Sequence, residues 1–184
     1  DGVLLSYPLD TLESLDLRSR EIEALRRAVM SFPPGSAAWA RTAAALREKR
    51  RASLDESLAV YEREIRRLEG LAEYVEYKAA GKAEAEGPLP LGFAPQAVRE
   101  TGYAAGRWTA VLLDRLIPGW QEGIEDGREA FPEDILTGAL AGGTEEAAFT
   151  EAELAERTAR GLEALEAKEA ERKRALEAMN NKEG

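Results

Sequence analysis

The chain has neither histidine nor cysteine. Without cysteine it forms no disulfide, thiolate nucleophile or sulfur-ligated metal centre. Without imidazole, neither Ser-His-Asp nor Cys-His nucleophilic catalysis can be assembled from this chain. Long apolar runs are missing too: stretches such as Thr109 to Leu113 fall far short of the roughly 20 residues that cross a bilayer. Strand-forming residues are scarce. An excess of positive charge is also lacking, since the formal net charge is -10, which argues against the basic face that displaces counterions from a nucleic acid. The densest basic run, Arg47-Glu48-Lys49-Arg50-Arg51, is interleaved with Glu48 and followed by Asp55 and Glu56, so it reads as a solvated helix end.

What remains is the composition of a helical protein. Hydrophobic residues make up 44% and charged residues 33% of 184 positions, with Ala, Glu, Leu and Arg dominating. That length suits one domain with a sizeable core, or one domain plus an extension. The expected fold is all-α: a helical bundle over residues 1–145, with a loop over 81–95, and a C-terminal helical extension over 146–184. The alanine, arginine and glutamate bias is that of a GC-rich bacterial genome.

Apolar spacing places the helices. Residues 1–10 read as an extended arm packing through Val3, Leu4, Leu5 and Tyr7. From about Thr11 or Ser14 to Met30, Leu15, Ile22, Leu25 and Val29 recur at steps near 3.6, and Phe32-Pro33-Pro34-Gly35 stops the pattern. Ser36 suits an N-cap for a second helix to about Arg51 with Trp39, Ala43 and Leu46 inward. The strongest pattern runs from Ser53 to about Ala80. There Leu54, Leu58, Tyr61, Ile65, Leu68, Ala72, Val75 and Ala79 alternate at steps of four and three, which predicts a long amphipathic central helix burying that seam. Ser53 and Glu56 have capping-box spacing. A fourth helix spans about Gln96 to Leu116, in which Gly102, Ala105 and Gly106 allow another backbone to come close. Short helices follow at Trp120 to Glu125 and Glu133 to Leu140. Thr150 and Glu153 form a second capping box, opening a helix that continues to about Met179 with a thin apolar face of Leu154, Leu162, Leu165 and Leu176.

One segment stands out within the third helix: Leu68-Glu69-Gly70-Leu71-Ala72-Glu73-Tyr74. A glycine inside a helix costs about 1 kcal/mol relative to alanine, so Gly70 beside two carboxylates suggests close backbone approach or a site. Glu-Gly-x-Ala-Glu-Tyr resembles the third-ligand segment of the gluzincin zinc metallopeptidases. In the next helix, Tyr103-Ala104-Ala105-Gly106 is similar to the Tyr-x-x-Gly found after that segment in several such families. The similarity covers about Leu68 to Leu116.

The resemblance implies that Glu69 is a zinc ligand and that the Tyr103 phenol donates a hydrogen bond to a developing oxyanion. The first two ligands of that family are the histidines of a His-Glu-x-x-His helix, which this chain lacks. Zinc is therefore expected only with a complementary His-Glu-x-x-His segment, from a longer precursor or a second chain, and the isolated chain is expected to bind no cofactor and to be inactive. A protein partner or missing N-terminal half is thus implied, along with an exported location; a homo-oligomer, too, is compatible with the helical pattern. The same residues also suit a non-catalytic helical interaction or scaffold protein, with Glu69 and Glu73 on a solvated flank and Gly70 making room for a neighbouring side chain. Small-residue packing is an alternative role for Tyr103 and its glycines. Arg107 and Trp108 suit a cation–π or capping contact. Asp114, Glu122, Glu125 and Asp126 form an acidic cluster without EF-hand spacing, which reads as solvated surface.

Overall fold

The computed structural model describes residues 11–31, 35–82, 95–125 and 131–180. The expected arm over residues 1–10, the Phe32-Pro33-Pro34 stop and most of the 81–95 loop lie outside the described residues. Among those described there are seven helices and no strand, so the fold is all-α: α1 Leu12–Met30, α2 Gly35–Arg51, α3 Glu56–Ala80, α4 Pro95–Leu116, α5 Gln121–Glu125, α6 Pro132–Leu140 and α7 Glu151–Asn180. No described helix is long and apolar enough to cross a membrane.

Local chemistry sets several boundaries. The Thr11 hydroxyl accepts from the Ser14 amide at 3.2 Å and caps α1. Gly81 ends α3 in the left-handed region at φ 61, where a side chain would be strained. Thr150 and Glu153 close their capping box reciprocally, at 2.8 and 3.3 Å. The Ser53–Glu56 box does not form: α3 starts at Glu56 with Asp55 as N-cap, and the Ser53 hydroxyl instead donates to the Arg50 carbonyl at the end of α2. Ser36 lies inside α2 and donates back to the Ala28 carbonyl of α1.

The centre of the bundle is α4, not α3. Ala104, Ala105, Trp108, Ala110, Val111, Leu112 and Leu113 are all buried, surrounded by Ile22, Leu25 and Val29 of α1, Ala40, Ala43 and Leu46 of α2, and Ile135, Leu136 and Leu140 of α6. Helices α1 and α2 pack as a hairpin, α1 lies against α4, and α6 packs on α4 and α2. The first part of α7 rests on α1.

Helix α3 lies on the periphery, and its seam is turned the other way from the pattern's expectation. Of the seam only Leu58, against Val98, is fully buried; Tyr61 and Ile65 are half-buried, and Leu68 and Val75 stand 57% and 60% exposed. The face that α3 buries carries Glu62, Arg66, Gly70 and Tyr74. The reason is what these four meet: a glycine of α4, a carboxylate of α4, and a set of buried charges on α1, α2 and α6.

That set also corrects the reading of Arg47 to Arg51 as a solvated end. Arg50 is 1% exposed; it donates to Glu21 at 2.9 Å and to Glu62. Arg66 reaches the other oxygen of Glu21 at 2.5 Å. Arg51 pairs with Glu133 at 2.6 Å, Arg63 pairs with the same carboxylate at 3.1 Å, and Arg47 donates to Thr137. Burial works against ionisation of Glu21 and Glu133, yet Arg66 with Arg50 at the first, and Arg66 with Arg51 at the second, hold both carboxyls below the ordinary range. Burial pushes Glu62 up to about 7, making it the first of the three to take a proton.

Candidate functional site

The two motifs meet at their glycines. Contacts between Leu58 and Val98, Ile65 and Gly102, Gly70 and Gly106, and Tyr74 and Asp114 advance together along both helices, so α3 and α4 run in the same direction. At the crossing, a Cβ on Gly70 would sit 2.5 Å from Gly106 Cα, and one on Gly106 would sit 2.7 Å from Gly70 Cα and against the Arg66 carbonyl oxygen. No real Cβ tolerates such distances. The helix-weakening glycines of Glu69-Gly70 and Tyr103-x-x-Gly106 are therefore used for backbone approach.

This crossing fixes where the candidate residues stand. Glu69, next to Gly70, is exposed at the margin of the outward apolar face of α3. Tyr103, one turn before Gly106, is half-buried, and its hydroxyl oxygen accepts from Arg99 at 3.2 Å. The hydrogen bond to Tyr103 in turn holds the Arg99 guanidinium above its ordinary range. Glu69 and Tyr103 thus stand on the two helices that cross at Gly70 and Gly106, and Arg99 is the hydrogen-bond partner of Tyr103.

The rest of the segment is structural. Tyr74 is buried, and its hydroxyl donates to Asp114 of α4 at 2.7 Å. Glu73 faces Arg107 at 3.7 Å, and burial raises its carboxyl above the ordinary range. The Arg107 guanidinium lies 3.9 Å from the Tyr77 ring centroid, and Trp108 is wholly buried in the core.

Asp114 does not act as part of a solvated acidic cluster. Besides Tyr74 it accepts from Lys78 at 2.8 Å, from the Trp120 indole at 3.0 Å and from Gln121 at 3.2 Å. Burial opposes ionisation there too, but Lys78, Trp120 and Tyr74 outweigh it and keep the carboxyl low. Asp126 lies outside the described residues; Glu122 and Glu125 are exposed.

A separate cleft of about 470 Å³ lies between α1 and α7, lined by Leu12, Leu15, Arg27, Glu153, Arg157 and Gly161 among others. Among the described residues no group of three or more His, Cys, Asp or Glu side chains is placed to hold a metal ion. No protein-family model, curated protein or solved structure matches this chain.

Sequence reasoning missed the buried charges of Glu21, Arg50, Glu62, Arg66 and Glu133. A partial signal was present: Arg18 and Arg50 fall on the apolar stripes of their own helices, a position where unpaired charges are not tolerated, whereas Glu62 and Arg66 lie off the α3 seam and gave none.

Proposed function

We propose that this chain is the helical, third-ligand portion of a gluzincin-like zinc peptidase, with Glu69 as one metal ligand and a His-Glu-x-x-His segment supplied by another stretch of a longer polypeptide or by a second chain. The observation that supports this most is the position of Glu69: exposed, at the edge of an uncovered apolar face, with Tyr103 and its partner Arg99 on the helix that crosses α3 at Gly70. A docking segment would cover Leu68 and Val75 and bring its own ligands beside that carboxylate.

The residues of this chain do not by themselves fit zinc, because one carboxylate supplies one ligand where a catalytic site of this kind takes three. What the chain contributes is therefore position. Arg99 donates into the Tyr103 hydroxyl oxygen, which leaves the phenol proton free to be given to an acceptor.

A second reading is a non-catalytic helical interaction protein. It is favoured by the same outward face of α3, which asks for a covering partner but not for a metal.

The test begins with the intact mass of the natural product against its reading frame, which shows whether a His-Glu-x-x-His segment accompanies these residues. In the material that carries it, Glu69→Ala is expected to abolish zinc retention and peptide hydrolysis while leaving the helical signal intact. Unchanged zinc content in that variant would remove Glu69 as a ligand and leave the interaction reading.

A further inference from the structure

Helix α7 leaves the body after its first half. Gly161 is buried against Leu12, and Ala164 and Leu165 are half-buried, but from Glu169 to Met179 every side chain is exposed. From the edge of the packed half into this exposed part the large apolar residues are Leu162, the half-buried Leu165, Leu176 and Met179, with Leu162, Leu176 and Met179 standing 47%, 52% and 63% exposed. Their spacing is that of a heptad seam whose two remaining positions are filled by Glu169 and Arg172, so the stripe reads Leu162, Leu165, Glu169, Arg172, Leu176, Met179 at alternating steps of three and four.

The order of this stripe is self-complementary when reversed. Laid against a second copy running the other way, about a centre between residues 169 and 172, Leu162 falls opposite the partner's Met179, Leu165 opposite the partner's Leu176, and Glu169 opposite the partner's Arg172. Two-fold symmetry repeats each layer. Beside the seam, Glu166 then flanks the partner's Lys173. The parallel arrangement reverses all of this: it stacks Glu169 on Glu169 and Arg172 on Arg172, and sets Lys168 beside Lys173. Charge at such positions sets partner and orientation in coiled helices.

From this we propose that the distal part of α7 is a homodimerisation element that pairs antiparallel with the same helix of a second copy, with Glu169 and Arg172 forming its central reciprocal ion pairs. The paired stretch, residues 162 to 179, is about 26 Å long at 1.5 Å per residue. It leaves the outward face of α3 uncovered, so it does not depend on the proposed peptidase role.

Sedimentation equilibrium on the full chain tests this. The wild type should move from the 20.1 kDa of one chain toward twice that mass as concentration rises. Glu169→Arg should weaken the dimer by about tenfold or more, because like charges then face each other in both central layers. The double exchange Glu169→Arg with Arg172→Glu should restore it, since the reversed pairs still match in the antiparallel register alone. With no native cysteine, Leu165→Cys chains mixed with Leu176→Cys chains should form a disulfide-linked heterodimer on oxidation, whereas either variant alone should not. A chain that stays monomeric overturns the proposal. So does a dimer indifferent to Glu169→Arg, a double exchange that fails to restore association, or a disulfide formed by one variant by itself.

Discussion

Helices α1 and α3 are both long, both carry apolar residues at helical spacing and both bury charged side chains, yet only α1 also buries its apolar stripe. In α1 the stripe is buried throughout: Ile22, Leu25 and Val29 belong to the core around α4, and Leu15 lies against Gly161 of α7. In α3 most of the stripe faces outward, while Glu62, Arg66, Gly70 and Tyr74 face in. The apolar period identifies a helix in both cases, but it does not say which face is buried. In α3 the inward face is chosen by a glycine contact with α4 and by charges that reach α1, α2 and α6, leaving the apolar face for something else to cover.

The largest effect expected from breaking this arrangement is at Arg50, which serves both helices by donating to Glu21 of α1 and to Glu62 of α3. Arg50→Ala leaves two buried carboxylates with less compensation and should cost about 3–5 kcal/mol of stability in urea denaturation. A loss under about 1 kcal/mol would mean that water reaches these groups and that the inward face of α3 is not held by charge.

Next comes the glycine crossing. Gly106→Ala places a methyl group against Gly70 and the Arg66 carbonyl, so the helices must separate, at about 1–3 kcal/mol even after the gain in helix propensity. Gly138 in α6 gives the control, since nothing lies within 4 Å of a Cβ added there. Gly138→Ala should be stabilising by about 0.5–1 kcal/mol. Equal effects of the two substitutions would show that the crossing is not tightly packed.

These contrasts mark what could be read from the chain. The C-terminal end of α3 and the start of α7 were visible because Gly81 and the Thr150–Glu153 pair act within a single turn. Close approach at Gly70 and Gly106 was visible as well, because a glycine in mid-helix is costly without a reason. The orientation of α3 was not, since it depends on Glu21 and Glu133, which lie far from it in sequence, and on Arg50 of the preceding helix. For the same reason Arg47 and Arg50 looked solvated beside Glu48 and Asp55, when their partners come from other helices. At the candidate site, the residues Glu69 and Tyr103 could be named in advance, but the i,i+4 hydrogen bond of Arg99 to Tyr103 within α4 was not read.

Paired truncations make the difference between the helices quantitative. Ile22 is wholly buried and Leu68 is not. Ile22→Ala should cost about 2–5 kcal/mol, and Leu68→Ala should change stability by no more than about 0.5 kcal/mol. Similar losses for both would place the α3 seam inside a core and end the argument that this face awaits a partner.

The smallest effect concerns the cover that α1 has and α3 lacks. Arg27 of α1 pairs with Glu153 in the first turn of α7, and this hydrogen bond, helped by those from Thr150, lowers the Glu153 carboxyl from 4.5 to about 2. A carboxyl lowered in the folded state stabilises fully above its unfolded value, and that contribution is lost as pH falls through the folded one. The hold of α7 on α1 should therefore be complete above about pH 5 and should weaken from there down toward pH 2. Because Glu153 is reached by solvent, the change should appear as local loosening and not as unfolding of the bundle. Amide exchange in the first turns of α7, corrected for intrinsic rates, should rise on acidification in the wild type. In Glu153→Gln it should already be raised at pH 7 and change less on acidification. If both proteins respond alike, the cover over α1 is held by Leu154 and Gly161 packing instead, and α1 and α3 differ only in what they bury.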